Sequence, residues 1–153
     1  MRELYIGGVA QGKLEYVRRI KSEEKAELKV IDCADWQAQA DEEDLKALLQ
    51  GENGEPVNGS FSEGEKAILV FHHFHQWVRN MVFAGIDAEQ EFARFLEQFP
   101  EWIIISDEVG NGIVPMEKAE REYRECLGRI LIEAAKRADR VERVMCGLGQ
   151  RIK

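Results

Sequence analysis

The chain has 153 residues, 44% of them hydrophobic and 33% charged, and carries a formal net charge of −8. That length suits one domain spanning residues 1–153 with a sizeable core, and the negative balance, with no cluster of five or more Lys and Arg, excludes a nucleic-acid backbone as the main partner. No run approaches the ~18 apolar residues of a membrane helix, and the start MRELYIGG is too poor in apolar residues for a signal peptide, so a cytoplasmic protein without a membrane partner is expected.

ELYIG, residues 3–7, reads as a short buried strand that runs into paired glycines. Over residues 12–24, Leu14, Val17 and Ile20 recur at helical spacing, and AELKVIDC, 26–33, reads as a second strand. Asp35 is placed to cap a helix over 36–50, with Leu45, Leu48 and Leu49 on one face. GENGEPVNGSFSEGE, 51–65, is expected to be a flexible loop inside the same domain. KAILVF (66–71) is an apolar strand leading through HHFHQWVRNMVFAG into a helix. Asp87 caps another helix that ends near Phe99 before Pro100. EWIIISD (101–107) is the most strongly apolar strand, a long amphipathic helix covers 117–138, and RVERVMCG (140–147) is expected as the final strand. Strands alternating with helices, two of them wholly apolar, predict an α/β fold with a mostly parallel sheet covered on both faces. Ligands of such sheets sit beyond the carboxyl ends of the strands, so the loops 7–13, 72–76 and 106–115 are the candidates.

The first of these, GGVAQGK, follows G-x-x-x-x-G-K between a strand and a helix. Gly7, Gly8, Gln11, Gly12, Lys13 and Leu14 form the candidate nucleotide-phosphate site, with backbone N–H groups around the phosphate and Lys13 as a point charge. The plainer alternative is a tight strand–helix turn with a solvated lysine. Leu14 stands where a Ser or Thr hydroxyl would ligate Mg²⁺, and leucine cannot hold a hard cation. The second loop has His72, His73 and His75 where an acid would complete a metal site. As a strand end, His73 and His75 would share a face able to take a soft divalent ion. With no Cys or acid nearby in sequence, no metal site is assigned; His72 can instead contact an anion, or the histidines fill a strand-to-helix corner. In the third loop, SDEVGNGIVP, Asp107 and Glu108 can accept hydrogen bonds from a ribose, a substrate hydroxyl or Lys13, and Gly110 and Gly112 let the backbone approach a ligand.

Glu108 to Pro115, E-V-G-N-G-I-V-P, resembles the most distinctive motif of the bifunctional adenosylcobinamide kinase / adenosylcobinamide-phosphate guanylyltransferases of cobalamin assembly. Arg121, Tyr123 and Arg124 are similar to that family's R-x-F-R pattern, Gly128-Arg129 to its G-R pair, and Asn80 falls at an asparagine it carries. The opening loop is similar to its G-G-x-x-S-G-K-S. The likeness is strongest over 66–153, good at 3–20 and poor between 25 and 65.

The resemblance implies a three-layer, RecA-like P-loop fold, often trimeric, with GTP or ATP as phosphate donor and a cobinamide-type ligand as acceptor. It also implies guanylyl transfer through a histidine between the second and third strands, a step that needs an imidazole nucleophile. Here residues 34–65 contain no histidine and no arginine, only Lys46. Gln11 replaces the loop serine, Leu14 the hydroxyl, His72 the strand-end acid, and Leu131 a helix asparagine. The resemblance therefore describes a degenerate member with a nucleotide-binding loop, Mg²⁺ poorly held and catalysis weakened or lost. Lys13 and Glu108 are the only catalytic candidates, with His72, Asn80, Glu108, Gly110 and Gly112 on the ligand edge. The alternative is a non-catalytic subunit that assembles with itself or an active relative, with the long helix and Trp77 and Trp102 as contact surface, although tryptophans are more often core.

Overall fold

The computed structural model describes residues 1–35, 67–110, 112–113 and 115–153. The helix expected over 36–50 and the loop expected over 51–65 lie outside the described residues. Six strands form one sheet: β1 (Arg2–Gly7), β2 (Leu28–Asp32), β3 (Ile68–His72), β4 (Trp102–Asp107), β5 (Arg140–Met145) and β6 (Leu148–Arg151), in the order β2-β3-β4-β1-β5-β6. The first five strands in that order form four parallel pairs, and β6 pairs antiparallel with β5. The helices are α1 (Lys13–Glu23), α2 (Phe74–Phe83), α3 (Ala88–Gln98) and α4 (Lys118–Arg137). Insertion of β4 between β1 and β3 is the strand order of a RecA-like P-loop fold, and the α/β expectation from the sequence holds. No helix among the described residues is long and apolar enough to cross a membrane.

The period-two alternation of strand side chains divides the interior into two cores. Leu4, Leu69, Phe71, Trp102 and Ile104 face α2, α3 and α4, where Phe74, Trp77, Phe92, Phe95, Leu127 and Ile130 meet them. Tyr5, Val70, Ile103, Ile105 and Val144 face the other way, onto Val17 of α1. Both Trp77 and Trp102 are buried in the first core, so they supply no contact surface for a partner. Their large apolar rings fill the layer between sheet and helices instead.

Asp87 caps α3 as expected, its side chain accepting from the N–H groups of Glu89 and Gln90. The chain does not end its sheet at β5. Cys146 and Gly147 both have positive φ, 51° and 73°, as a two-residue type I′ hairpin requires, and β6 follows with Met145 opposite Leu148.

The helix that leads off the glycine loop is fixed to the sheet by charge as well as by Val17. Lys21 is 1% exposed, and its ammonium meets Glu3 of β1 at 2.9 Å and Glu24 at 2.8 Å. The Tyr5 hydroxyl donates to the other Glu3 oxygen at 2.6 Å. Removing one partner of such a buried pair strands the other charge, whereas an exposed pair such as Arg18–Glu15 contributes little. Lys21→Ala is therefore expected to lower unfolding free energy by about 3–5 kcal/mol and Arg18→Ala by less than about 1 kcal/mol, measured by urea denaturation.

Candidate functional site

Because β1, β3 and β4 run in parallel, Gly7, His72 and Asp107 emerge at the same sheet edge, with Gly7 and Asp107 in direct register. The chain turns at residues 8–12 and enters α1 through Gly12, whose φ of 74° is left-handed and favours glycine. Gly7 is needed for a different reason: a methyl there would overlap the carbonyl oxygen of Val144 on β5. The first N–H groups of α1 therefore sit behind a glycine loop at the carboxyl edge, the arrangement that receives phosphate oxygens.

Lys13 folds back over this loop. Its ammonium donates to the carbonyl of Gly8 at 2.7 Å, to that of Gly7 at 3.4 Å and to Asp107 Oδ1 at 2.5 Å, and the side chain is 6% exposed. The hairpin that the sequence did not reveal braces the loop from the far side. Cys146 N–H donates to the Gln11 side-chain oxygen at 2.8 Å, and Gly147 N–H to the Gln11 carbonyl at 2.9 Å. On the near side Glu108 N–H donates to the Gly7 carbonyl at 2.9 Å.

Leu14 turns away from the loop and packs against the second core, so no side chain of that residue addresses a metal or phosphate. The Glu108 carboxylate is paired with Arg143 of β5 at 2.9 Å. Asn80 lies in α2, six residues after its first residue. Gly110, with φ 108°, and Gly112 lie in the connection beyond Glu108. Arg124 and Arg121 hold that connection, donating to the carbonyls of Ile113 at 3.0 Å, Pro115 at 2.9 Å and Met116 at 2.7 Å. Tyr123 between them is core.

The three histidines do not lie on one strand face. His72 is the last residue of β3, His73 adopts φ 53° and breaks the strand, and His75 is already in α2. The left-handed residue between His72 and His75 ends the strand, so the three do not alternate across a sheet as strand residues would. His75 is buried against Asp107: its Nδ1 accepts the Asp107 N–H at 3.1 Å and its Nε2 is 3.5 Å from Asp107 Oδ2. Burial drives its pKa down to about 4, against the opposing pull of Asp107. The accepting Nδ1 likewise marks a neutral ring with its proton on Nε2.

His73 faces the end of β2 instead. Its Nδ1 lies 2.9 and 3.1 Å from the two oxygens of Asp32. His72 stacks on it with ring centroids 3.6 Å apart. Burial first, then His73 and the Lys13 ammonium, push the His72 imidazole below its usual value, with Asp32 opposing. Burial works against ionisation of Asp32, but the Ala34 N–H and His73 outweigh it and hold its carboxyl below the ordinary range. One ligand atom from each of Asp32, His72 and His73 lies within 4.8 Å of the others. Asp32 escaped the sequence reading because it reaches the histidines only through the β2–β3 pairing; His75 stood beside His73 in that reading, but its pairing with Asp107, 32 residues away, did not.

A family model described as cobinamide kinase / cobinamide phosphate guanyltransferase matches residues 33–152. The match leaves β1 and the glycine loop outside its span. Comparison with curated proteins gives no match.

A histidine kept neutral on folding makes stability depend on pH. Its folded pKa lies below the unfolded value, so its contribution is complete above about pH 6.5 and is lost as pH falls towards 4. Stability is expected to decline across that window, and His75→Gln to remove about 3 kcal/mol of the decline, read from urea unfolding at a series of pH values.

Proposed function

This chain belongs to the cobinamide kinase / cobinamide phosphate guanyltransferase family, and we propose that it is a divergent member that holds nucleotide phosphates on residues 7–13 without magnesium-dependent transfer. The observation that carries the reading is Lys13: an ammonium at the head of α1, folded over a glycine loop at the carboxyl edge of a parallel sheet. Helix N–H groups and a lysine together suit the phosphates of GTP or ATP. A cobinamide-type molecule is the second ligand the family suggests, and a homo-oligomer, a trimer, its assembly.

The reading of lost transfer rests on three positions. Leu14 belongs to the core and offers no hydroxyl to Mg²⁺. β3 ends in His72 where a hard cation wants a carboxylate. Asp107, the acid nearest the loop, is occupied by Lys13 and His75. Asp107 therefore competes with a phosphate for Lys13 rather than assisting it. The guanylyl step has no histidine to use between residues 34 and 65.

One observation favours assembly as a second reading. All four residues of β6 are exposed at the end of the sheet, with Leu148 71% exposed, and an open strand edge of this kind is a pairing surface.

Calorimetric titration of GTP, with and without Mg²⁺, tests the phosphate reading against Lys13→Gln, which keeps a donor for Asp107 and removes the charge. The expected result is binding that Mg²⁺ leaves within about twofold and Lys13→Gln weakens by about tenfold or more. Absence of binding contradicts the phosphate reading. Binding that requires Mg²⁺, with nucleotide turnover, contradicts the loss of transfer.

A further inference from the structure

The donors at the ends of β2 and β3 go beyond what nucleotide binding requires. We propose that Asp32, His72 and His73 form a binding site for a divalent transition-metal ion of the zinc, cobalt and nickel class. Asp32 and His72 are register partners across the β2–β3 ladder, and His73 follows directly, so two adjacent strand ends deliver one carboxylate and two imidazoles to one point. The acid and the histidines are 40 residues apart in sequence, and only the sheet brings them together.

The spacing is close to what an ion needs. Bonds of about 2.0–2.1 Å in a tetrahedral site place donors roughly 3.3 Å apart. His73 Nδ1 already lies 2.9 and 3.1 Å from the Asp32 oxygens, and the three-donor set falls within 4.8 Å. These side chains are only partly buried, so small rotations bring His72 into range and leave further coordination positions open to water or a ligand oxygen. The backbone beneath them is held: Ala34 N–H donates to Asp32 Oδ1 at 3.0 Å, and the His73 carbonyl accepts Gln76 N–H at 2.8 Å as α2 starts. Such supporting bonds orient metal ligands.

A His73–Asp32 hydrogen bond accounts for one imidazole but not for the other. The His72 ring has no hydrogen bond among the described residues and stacks on His73. Donor type sets the metal class: imidazole nitrogen suits zinc, nickel and copper-group ions, whereas Mg²⁺ takes oxygen. Lys13, whose charge reaches His72, is compensated by Asp107 and does not oppose a cation as a free ammonium would. On binding, the His73 ring presents the Nδ1 lone pair to the metal with its proton on Nε2, and the metal bond replaces the contact between Nδ1 and Asp32.

The test uses the full chain without an affinity tag, stripped by chelator and titrated with Co²⁺ in the absence of nucleotide. Visible d–d absorption reports imidazole and carboxylate coordination, and Zn²⁺ competition reports affinity. One equivalent is expected to bind, with Mg²⁺ in excess failing to compete. Asp32→Asn, His72→Ala and His73→Asn are each expected to weaken binding by about tenfold or more; asparagine tolerates the left-handed backbone at position 73. Cys146→Ser, which removes the exposed thiol, is expected to change nothing. Far-UV circular dichroism establishes that each variant is folded. No binding at about 100 µM Co²⁺, retention of full affinity in the three ligand variants, or loss in Cys146→Ser each overturns the site. Because no nucleotide is present, either result leaves the phosphate reading to its own test.

Discussion

The ion pair between Lys13 and Asp107 is the constraint on which the upper edge of this sheet depends. It joins the head of α1 to the end of β4 across the register pair Gly7 and Asp107. With both side chains largely withdrawn from water, neither charge can be left alone: breaking such a pair from one side costs several kcal/mol, although the intact pair adds little net stability. The loop between them is consequently held shut by its own lysine, and the helix is held down at its other end by Lys21 and Glu3. Two buried lysines on α1, eight residues apart, fix both ends of the element that presents the phosphate loop.

Along the carboxyl edge, the acids at the ends of β2 and β4 each have a basic partner. Asp107 has Lys13 and His75, Glu108 has Arg143, and Asp32 has His73. This pairing bears directly on chemistry, since a hard divalent ion needs carboxylate oxygens not already spent on ammonium or guanidinium groups. On the proposed reading, backbone N–H groups at this edge receive phosphate while the acids around them serve as internal counter-charges. β3 ends in His72, which offers a nitrogen donor one strand further from the loop than Asp107.

Much of this was legible from local signals. The glycine loop between a strand and an amphipathic helix, the apolar strands β3 and β4, the Asp87 cap and the long helix α4 all declare themselves through spacing that involves neighbours in sequence. What was not legible depends on contacts between distant segments. β6 is four residues long, exposed throughout, and follows a Cys-Gly turn rather than the Asn-Gly or Asp-Gly that marks a hairpin, yet that turn braces Gln11. Glu3 looks like a polar interruption of a strand until Lys21 arrives from α1 to meet it. The histidine cluster looked incomplete because its acid comes from β2, and Trp77 and Trp102 stood open to a core or a contact role because aromatic content does not say which face a ring occupies.

The account turns on Asp107 being a competitor of phosphate for Lys13 and not the holder of a bridging metal. The affinity of inorganic triphosphate for the intact chain and for Asp107→Asn, each with and without Mg²⁺, measures this directly. Asparagine still accepts a hydrogen bond from Lys13 but no longer neutralises it or repels an incoming anion. The account predicts binding about tenfold tighter in Asp107→Asn, whether or not Mg²⁺ is present. Weaker binding in Asp107→Asn, together with loss of a Mg²⁺ requirement that the intact chain displays, would contradict it.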